Sequence, residues 1–595
     1  MNGHFINWIK KTEMRQLASI TIITSFLFIM SSCFDRQSYI SQEQDIGRDI
    51  ENNMAVQLEN TLKNVNDTIN LAFHGKEIYT TNLIKDFYTL NQYIPVWTTN
   101  MKPNRQAREL MKLFAHSPIY GLDTTFYQFS SLSKLYYQLN KKEVKDRDKK
   151  ALEYELLMTH NSFKIMSHLR SGVIQPDSSV NGIKSDPYPK SLAKKLVSFI
   201  NTDQLTEGIV ALQPNSYEYR FLQAGLEVFV KNMVMNQDSV FIPDPEIDSV
   251  AAYTAAKKML VANNYYPSTE KLVKPYTDYT IKKITNIIAD TIGYTISFTP
   301  RIDEDTTFVV ALKQFQKVNG LHPDGVIGSN TRNALHTNNM DRYKQIAVNL
   351  ERLRWQKKRP QKYIYVNIPS YKLRVLEKGW IKKTFRVVVG AVYSETPELN
   401  GEIEYFITNP EWNVPYSISS RELLPKIVND STYLAKHNYV VLDENRQPVQ
   451  GKIDWSQVNS ENFNYSIRQA GGSNNALGSI KFIFPNQYNV YIHDTQSKNK
   501  FSKEIRAYSH GCMRLENPWD LAKYIVESEK NISTDTLMTI KDKRVRKQIN
   551  LKEPLPVFVR YITCEADNNA NITFYKDIYG KDEELKKQLF ASKEI

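Results

Sequence analysis

One nonapeptide, Ser509-His510-Gly511-Cys512-Met513-Arg514-Leu515-Glu516-Asn517, contains one of only three cysteines in this 595-residue chain. Upstream, Val490-Tyr491-Ile492-His493-Asp494 has the pattern of a strand end, and 15 residues separate its histidine from the serine of the nonapeptide. Acyl transfer by a thiol needs a thiolate, which a neighbouring imidazole generates by taking the proton. The glycine lets substrate approach and leaves backbone N–H groups free to bind an oxyanion. The pattern therefore predicts Cys512 as a nucleophile in a strand-rich domain.

Two histidines are candidates for the base that activates Cys512. His510 is close in sequence, whereas His493 needs the fold to bring it near. The same three residues also suit a zinc site, because side chains two positions apart on a strand point to one face. No acidic motif such as His-x-x-x-Asp accompanies them, so we expect no metal. A lone strand cysteine is more often a small buried apolar residue, which is our interpretation of Cys564.

Strand patterns fill the region around the nonapeptide. A helix is expected from Asp341 until Pro360 stops it, and strands are expected at residues 363–367, 372–376, 384–389, 405–408, 481–484, 488–492 and 557–563. We therefore predict a β-rich catalytic domain at residues 341–580. Its segment 416–470 is polar and partly helical, which is typical of an insertion that covers a site as a lid.

A small helical domain is predicted at residues 251–340. Val309, Leu312 and Phe315 form an apolar face at helical spacing, Gly320 follows at a helix C-cap position, and Asp324-Gly325 has the pattern of a turn. This arrangement of glycines and turn residues resembles the small peptidoglycan-binding domain found on many cell-wall enzymes. The resemblance implies a domain that holds the glycan.

The N-terminus has the parts of a bacterial export signal. Basic residues at 10, 11 and 15 precede 14 mostly apolar residues at 17–30, and Ser31-Ser32-Cys33 follows. This stretch is shorter than the roughly 20 residues of a membrane-spanning helix. The placement resembles a lipoprotein signal over residues 1–33, which implies a lipidated Cys33; an uncleaved anchor is the alternative, and Met1 or Met14 is the start. We expect an exported protein on the periplasmic side of a bacterial membrane.

The remaining segments complete an α+β multidomain fold class. Residues 34–75 are polar and predict a tether, residues 76–250 have mainly helical patterns and predict a scaffold domain, and residues 581–595 predict a polar tail. The net charge of +13 favours an anionic partner. Because the basic residues are scattered, a solvated surface is favoured over a nucleic-acid groove, and we expect no nucleic-acid partner.

The site motifs resemble the signature of the L,D-transpeptidase family: a histidine, a spacer of about fifteen residues, Ser-His-Gly-Cys, an apolar residue, an arginine and a nearby asparagine. Flanking sequence agrees at Leu477-Gly478, Lys481-Phe482, Asn409-Pro410, Trp412 and residues 577–580. The resemblance is to the long type of this family, with a lid and a peptidoglycan-binding domain, and it covers about residues 80–580.

The resemblance implies a role for each site residue. Cys512 is the nucleophile, His493 the general acid/base, and the backbone carbonyl of Asp494 orients His493. The oxyanion pocket is expected to involve His510 and the backbone N–H of Gly511. The residues expected to bind substrate are Arg514, Tyr491, Ser509 and Asn517.

The implied reaction is peptidoglycan cross-linking without metal or organic cofactor. Cys512 takes the acyl group of a tetrapeptide stem with release of terminal D-alanine, and an amine of a neighbouring stem receives it, giving a 3→3 cross-link. The same acyl-enzyme also serves an L,D-carboxypeptidase, an exchanger of D-amino acids or an enzyme that attaches a protein to the wall. A catalytically silent wall-binding lipoprotein is the alternative from another class. The expected partners are peptidoglycan stem peptides and glycan, with a membrane at Cys33.

Overall fold

The computed structural model describes residues 36–63, 65, 71–73, 76–175, 186–232, 240–263, 265–266, 306–356 and 359–590. The predicted signal segment, residues 1–33 with Cys33, lies outside them. None of the described helices is both long and apolar enough to cross a membrane. Contacts divide the chain into two compact units, Met1–Arg108 with Lys134–Met158, and Glu109–Ser133 with Thr159–Ile595.

The described N-terminal region is mainly helical, as the sequence predicts. Its helices and strands are α1 Arg36–Lys63, β1 Ala72–Phe73, β2 Lys76–Glu77, α2 Thr81–Leu90, β3 Thr98–Thr99, β4 Lys102–Pro103, α3 Arg105–Ala115, α4 Phe129–Leu139, α5 Arg147–Ser171, α6 Ser191–Asn201, α7 Leu205–Val210 and α8 Tyr217–Asn232. Helix α1 falls within the expected tether. It forms because Met54, Leu58 and Leu62, spaced four residues apart, make one apolar face that is buried.

A buried carboxylate organises the first unit. Glu155 on α5 is fully buried, and its carboxylate accepts hydrogen bonds from the Tyr88 hydroxyl at 2.7 Å and from the N–H groups of Val96, Trp97 and Thr98 at 3.1, 3.0 and 2.7 Å. Burial raises the pKa of this carboxyl group, while hydrogen bonds from Thr98 and Tyr88 oppose the rise. The chain entering β3 is thereby fixed to α5.

A small helical domain follows, comprising α9 Ser249–Ala262, α10 Thr306–Val318 and α11 Ser329–His336. Its core includes the apolar residues Ala252, Met259, Phe308, Leu312, Phe315 and Leu335. The buried Gln316 amide donates to Asp324 Oδ1 at 2.7 Å and accepts from the N–H of Gly325 at 2.8 Å, and Gly325 has a φ of +81°. These contacts fix the predicted turn.

The C-terminal region is β-rich, as the sequence predicts. Its elements begin with α12 Asn339–Arg354, β5 Lys362–Asn367, β6 Lys372–Glu377, β7 Trp380–Gly390, β8 Leu399–Thr408, β9 Trp412–Asn413, α13 Tyr416–Ile418, α14 Leu424–Asn429, α15 Tyr433–Lys436, β10 Tyr439–Leu442, β11 Ser466–Gln469 and β12 Ile480–Ile483. They end with β13 Ile492–His493, β14 Ala507–Ser509, β15 Met513–Leu515, α16 Pro518–Glu529, α17 Thr534–Asp542, β16 Lys547–Arg560, β17 Cys564–Ala566, β18 Ile572–Phe574 and α18 Asp582–Phe590.

Nine of these strands form one sheet in the order β14-β7-β15-β13-β12-β8-β16-β5-β6, and β6 also pairs with β7. The sheet therefore closes on itself. Strand alternation sends one set of side chains inward, where Val366, Val387, Phe406, Phe482 and Ile492 belong to the main hydrophobic core. Strand β13 lies between β15 and β12 in this order and carries the candidate site.

The strand expected at residues 488–492 is wrong over most of its length. Only Ile492–His493 is extended in the sheet. Asn486 Oδ1 accepts hydrogen bonds from the N–H groups of Tyr488 at 3.1 Å and Val490 at 3.2 Å, and Asn489 adopts a φ of +54°. An asparagine side chain here satisfies the backbone in place of a strand partner.

The segment predicted to be a lid has a small core of its own. Strand β11 pairs with β10 and β9, and helices α13 to α15 precede β10. The buried apolar residues that hold this insertion together are Val414, Leu423, Leu424, Ile427, Phe463 and Ile467. A five-residue π-helical segment, Ser419–Leu423, connects α13 to α14.

The expected polar tail contains a packed helix. In α18, Leu589 and Asp582 are each only 2% exposed. Asp582 Oδ1 accepts a hydrogen bond from the Arg352 guanidinium on α12 at 2.5 Å, and Oδ2 accepts one from the Thr563 hydroxyl at 2.7 Å. These contacts bind the C-terminal helix to the sheet domain.

Candidate active site

The candidate residues lie on one face of three neighbouring strands. Strand β13 pairs in parallel with β15, placing His493 beside Arg514, and antiparallel with β12, placing His493 beside Lys481. Paired residues on adjacent strands project to the same face of a sheet. Cys512 directly precedes β15, two residues before Arg514, and Tyr491 lies two residues before His493, so both share this face.

His493 is buried, and its ring orientation is fixed by the next residue. The Nδ1 proton of His493 is donated to the backbone carbonyl of Asp494 at 2.5 Å. Because a carbonyl can only accept, Nε2 carries no proton in the neutral ring. Burial lowers the pKa of His493 to about 3, and the nearby Arg514 guanidinium adds to the effect. Backbone hydrogen bonds with Asp494 and Leu477 oppose this effect, and His493 is a neutral imidazole near pH 7.

Cys512 is partly exposed, and its thiol contacts Tyr491. Burial raises the pKa of Cys512, while hydrogen bonds from the backbone and hydroxyl of Tyr491 and the charges of Arg514 and Lys481 oppose the rise. The same Tyr491 hydroxyl also forms a hydrogen bond with the side chain of Trp412 on β9, at the base of the insertion. The thiol thus lies near two cations on different strands, Lys481 on β12 and Arg514 on β15, and contacts the hydroxyl of Tyr491, which directly precedes β13.

The loop that holds Cys512 depends on a glycine conformation. Gly511 has a φ of +102°, a region that L side chains rarely adopt, and its carbonyl accepts the Thr396 hydroxyl at 2.7 Å. The buried Ser509 hydroxyl donates to the Cys512 carbonyl at 2.5 Å. Within the described chain no acceptor takes the N–H of Gly511 or Cys512. Both groups are therefore available to bind an oxyanion.

Asp494 contributes its side chain as well as its carbonyl. Its carboxylate accepts hydrogen bonds from the N–H and hydroxyl of Ser479 at 2.8 and 2.6 Å, from the N–H of Thr495 at 2.8 Å and from Lys498 Nζ at 2.6 Å. Burial raises the pKa of Asp494, but the bonds from Lys498 and Ser479 outweigh it and hold this pKa below its ordinary value. Trp519 Nε1 donates to the Ser479 hydroxyl at 2.8 Å. This network fixes the backbone that orients His493.

The structure does not bring His510 and Asn517 to the face that carries Cys512. His510 is exposed, and its Nε2 lies 2.7 Å from Glu422 Oε1 in the π-helical segment of the insertion. Asn517 is exposed at the N-cap position of α16, where its side chain makes no capping bond. Within the described ranges, no group of three or more His, Cys, Asp and Glu side chains could hold a metal ion.

Four contacts of the site involve residues to which the sequence pattern assigned no role: Lys481, Trp412, Glu422 and Ser479. Lys481 and Trp412 were among the flanking residues that resemble the family. That resemblance indicated that they lie near the site, but it did not indicate what they contact. Glu422 is distant in sequence and arrives through the insertion. Only the strand register identifies Lys481 as a neighbour of His493.

Comparison with known proteins identifies the domains. Residues 361–540 match the sequence profile of the L,D-transpeptidase catalytic domain, residues 82–226 that of a scaffold domain, and residues 291–335 that of a peptidoglycan-binding domain. The chain is 34% identical over 223 residues to a candidate L,D-transpeptidase of Haemophilus influenzae. That match covers 37% of this chain and 45% of the relative, so the chain spans less than half of the relative's length.

Solved structures of L,D-transpeptidases also align with the chain. The Mycobacterium smegmatis protein is 13% identical over 34% of this chain and 58% of its own, with a TM-score of 0.15. The Stackebrandtia nassauensis protein is 14% identical over 49% of this chain and 96% of its own, with a TM-score of 0.16.

Proposed function

Because residues 361–540 form an L,D-transpeptidase catalytic domain in a chain that also has a peptidoglycan-binding domain, we propose that this protein forms 3→3 peptidoglycan cross-links through a thioester on Cys512. The observation that carries the proposal is the hydrogen bond from His493 Nδ1 to the Asp494 carbonyl. It leaves Nε2 as a proton acceptor on the face that Cys512 shares. This is the arrangement that an acyl-transfer base requires.

In the first step His493 Nε2 takes the proton of Cys512 Sγ as the sulfur attacks the carbonyl carbon between the third and fourth residues of a tetrapeptide stem. The N–H groups of Gly511 and Cys512 bind the oxyanion as the C–S bond forms. His493 then gives the proton to the D-alanine nitrogen as the C–N bond breaks. D-Alanine leaves and the thioester remains.

In the second step the side-chain amine of a diamino acid on a neighbouring stem attacks the thioester carbonyl. A C–N bond forms, the amine proton passes to His493, and the C–S bond breaks. The departing thiolate recovers that proton. Water at this point gives hydrolysis instead, and the insertion next to Trp412 and His510 would exclude it.

A mass-spectrometric assay with purified disaccharide-tetrapeptides tests the proposal. We expect the unmodified chain to give a thioester adduct on Cys512 and a cross-linked dimer that has lost one D-alanine, and Cys512→Ala to give neither. Cys564→Ala, at the buried cysteine of β17, is the matched control and should keep activity. Tripeptide without dimer would assign the site to an L,D-carboxypeptidase. A folded chain that releases no D-alanine would contradict an enzymatic function.

We further propose that the chain is exported and anchored through a lipidated Cys33. The basic and apolar residues before Cys33 support this, as does a domain composition suited to a substrate outside the cytoplasm. Metabolic labelling with an alkyne fatty acid should mark the unmodified protein and not Cys33→Ser. An unlabelled protein with an intact N-terminal segment would support the uncleaved anchor.

A further inference from the structure

We infer that Lys481 binds the terminal carboxylate of the donor stem peptide and thereby selects stems that end at the fourth residue. This inference rests on the transpeptidase function proposed above. It assigns a specificity role to a residue outside the histidine–cysteine signature.

The position of Lys481 follows from the sheet register. Lys481 on β12 is paired with His493 on β13, and His493 is in turn paired with Arg514 on β15. The three side chains thus form one row across the face that carries Cys512. The Lys481 ammonium lies 5.7 Å from the centroid of the Tyr491 ring, whose hydroxyl contacts the thiol.

Lys481 lacks an anionic partner within the described chain. No carboxylate there forms an ion pair with it. Glu411, the carboxylate whose charge raises the pKa of Lys481, pairs with Arg468 at 4.0 Å and Arg546 at 3.6 Å. Burial and the charge of Arg546 lower the pKa of Lys481, while Cys512 and Glu411 raise it. A half-buried cation that no protein carboxylate satisfies is a site for an anionic ligand.

Arg514 provides a second, independent sign of an anionic ligand. It lies on the same face and is partly buried, and its Nε is a buried donor without an acceptor. Two cations therefore flank His493, one on each neighbouring strand. The ligand they suit carries negative charge close to the bond that reacts.

The reaction decides which cation the terminal carboxylate meets. Cys512 is on the Arg514 side of His493, so the scissile carbonyl occupies that side. His493 protonates the nitrogen of the leaving D-alanine. The carboxylate carbon of that D-alanine is two bonds beyond the nitrogen, on the side away from the scissile carbon. It therefore lies beyond His493, on the Lys481 side. In a pentapeptide stem this carboxyl group is an amide and has no charge for Lys481 to bind.

Matched donors test the inference. Thioester formation is measured with a disaccharide-tetrapeptide ending in D-alanine and with the same molecule ending in D-alaninamide, for the unmodified chain, Lys481→Gln, Lys481→Arg and Lys382→Gln. Lys382 is an exposed lysine on β7 and serves as the control. We expect Lys481→Gln to lower kcat/KM for the carboxylate donor by roughly 10- to 100-fold, mainly through KM, and for the amide donor by less than about threefold. Lys481→Arg should retain the preference for carboxylate.

Other outcomes overturn the inference in distinguishable ways. An equal loss for both donors in Lys481→Gln, with a slower alkylation of Cys512 at each pH, would mean that Lys481 acts on the thiol and not on the carboxylate. An unchanged preference in a folded Lys481→Gln would exclude it from donor recognition while the proposed function stands. A folded, unmodified chain that forms no thioester with either donor would overturn both the function and this inference.

Discussion

The Cys512 thiol and the His493 imidazole are both neutral near pH 7. Burial raises the pKa of Cys512 and lowers the pKa of His493 to about 3, so a standing thiolate–imidazolium pair is disfavoured. The proton therefore moves during attack on the substrate and not before it. In general-base catalysis of this kind, the thiol stays protonated until the donor is bound and His493 accepts its proton.

Alkylation of Cys512 tests this protonation state. We expect iodoacetamide to modify Cys512 slowly at pH 7 and faster at higher pH, with a midpoint above the roughly 8.5 of a free thiol. Because Arg514 lowers the pKa of Cys512, Arg514→Gln should move the midpoint higher still. Peptide-resolved mass spectrometry separates Cys512 from Cys33 and Cys564. A rate plateau between pH 5 and 7 would show a preformed thiolate.

Asp494→Ala is expected to destabilise the protein and reduce acylation. It removes the acceptor of four hydrogen bonds at a buried carboxylate, a loss of about 2–4 kcal/mol at pH 7. Since the pKa of Asp494 is lower in the folded state, its contribution to stability is fully present above the unfolded value of about 3.9, shrinks below that value and is lost as the pH falls through the lower folded pKa. Urea unfolding at pH 7 and pH 3 measures the difference.

The exposed Asp542→Ala is the matched control for that comparison and should leave stability within about 0.5 kcal/mol of the unmodified chain. A stability gap of Asp494→Ala that is equally large at both pH values would contradict the linkage. So would a gap that grows as the pH falls.

The sequence could predict the residues of the site better than their contacts. The sequence motif singled out His493, His510 and Cys512, but spacing alone could not choose between the two histidines as the base; the pairing of β13 with β15 is what puts His493 on the face of Cys512. The pairing of Lys481 with His493 across the sheet could not be predicted from the sequence. The eight residues between β12 and β13 include a turn at Asn486, and they do not fix which residues of the two strands lie opposite each other. His510 was expected beside the oxyanion, whereas the structure gives it a partner, Glu422, from 88 residues upstream.

At the scale of elements, Glu422 of the insertion and His510 of the catalytic loop are joined by a hydrogen bond of 2.7 Å. Glu422 and His510 are 45% and 41% exposed, so their pairing adds little stability. Its position matters more, because His510 directly precedes Gly511 and Cys512. The pair ties the π-helical segment of the insertion to the loop that holds the nucleophile.

Glu422→Gln should loosen the insertion without unfolding the domain. We expect faster hydrogen–deuterium exchange at residues 416–436, an unchanged melting temperature within about 1 °C, and a higher ratio of hydrolysis to cross-linking because water enters the site. Glu444→Gln, exposed in the same insertion, is the matched control. Exchange that stays the same in Glu422→Gln would mean that the contact between Glu422 and His510 does not hold the insertion.

Helices and strands whose apolar residues recur at a regular spacing could be predicted from the sequence. The residues at which they begin and end were predicted less accurately. The predicted helix carrying Leu312 and Phe315 exists as α10, and six of the seven expected strands overlap β5, β6, β7, β8, β12 and β16 over most of their length. Apolar spacing in α1 and α18 was masked by polar composition, so those segments were expected to be a tether and a tail. Side-chain capping of the backbone, as at Asn486, overrides a strand pattern that composition alone favours.

At the scale of the whole chain, α12 joins the small helical domain to the sheet, and buried charges on it bind the C-terminal helix. Arg352 and Asp582 are 6% and 2% exposed at their side chains. Asp582→Ala leaves the guanidinium buried without its partner, and we expect a loss of about 3–5 kcal/mol in the free energy of unfolding. Chemical denaturation measures it, with the exposed Glu583→Ala as control. A loss below about 1 kcal/mol would show that water reaches Arg352.

The closed sheet also depends on a strand that is made late in synthesis. Strand β16, residues 547–560, lies between β8 and β5, so the ring is open until this late segment has been synthesised. A chain emerging from the ribosome N-terminus first presents Cys512 before the last wall of its domain exists, and long-range pairings of this kind form slowly. The closed sheet that surrounds Cys512 can therefore form only after residues 547–560 have been made and have paired with β8 and β5.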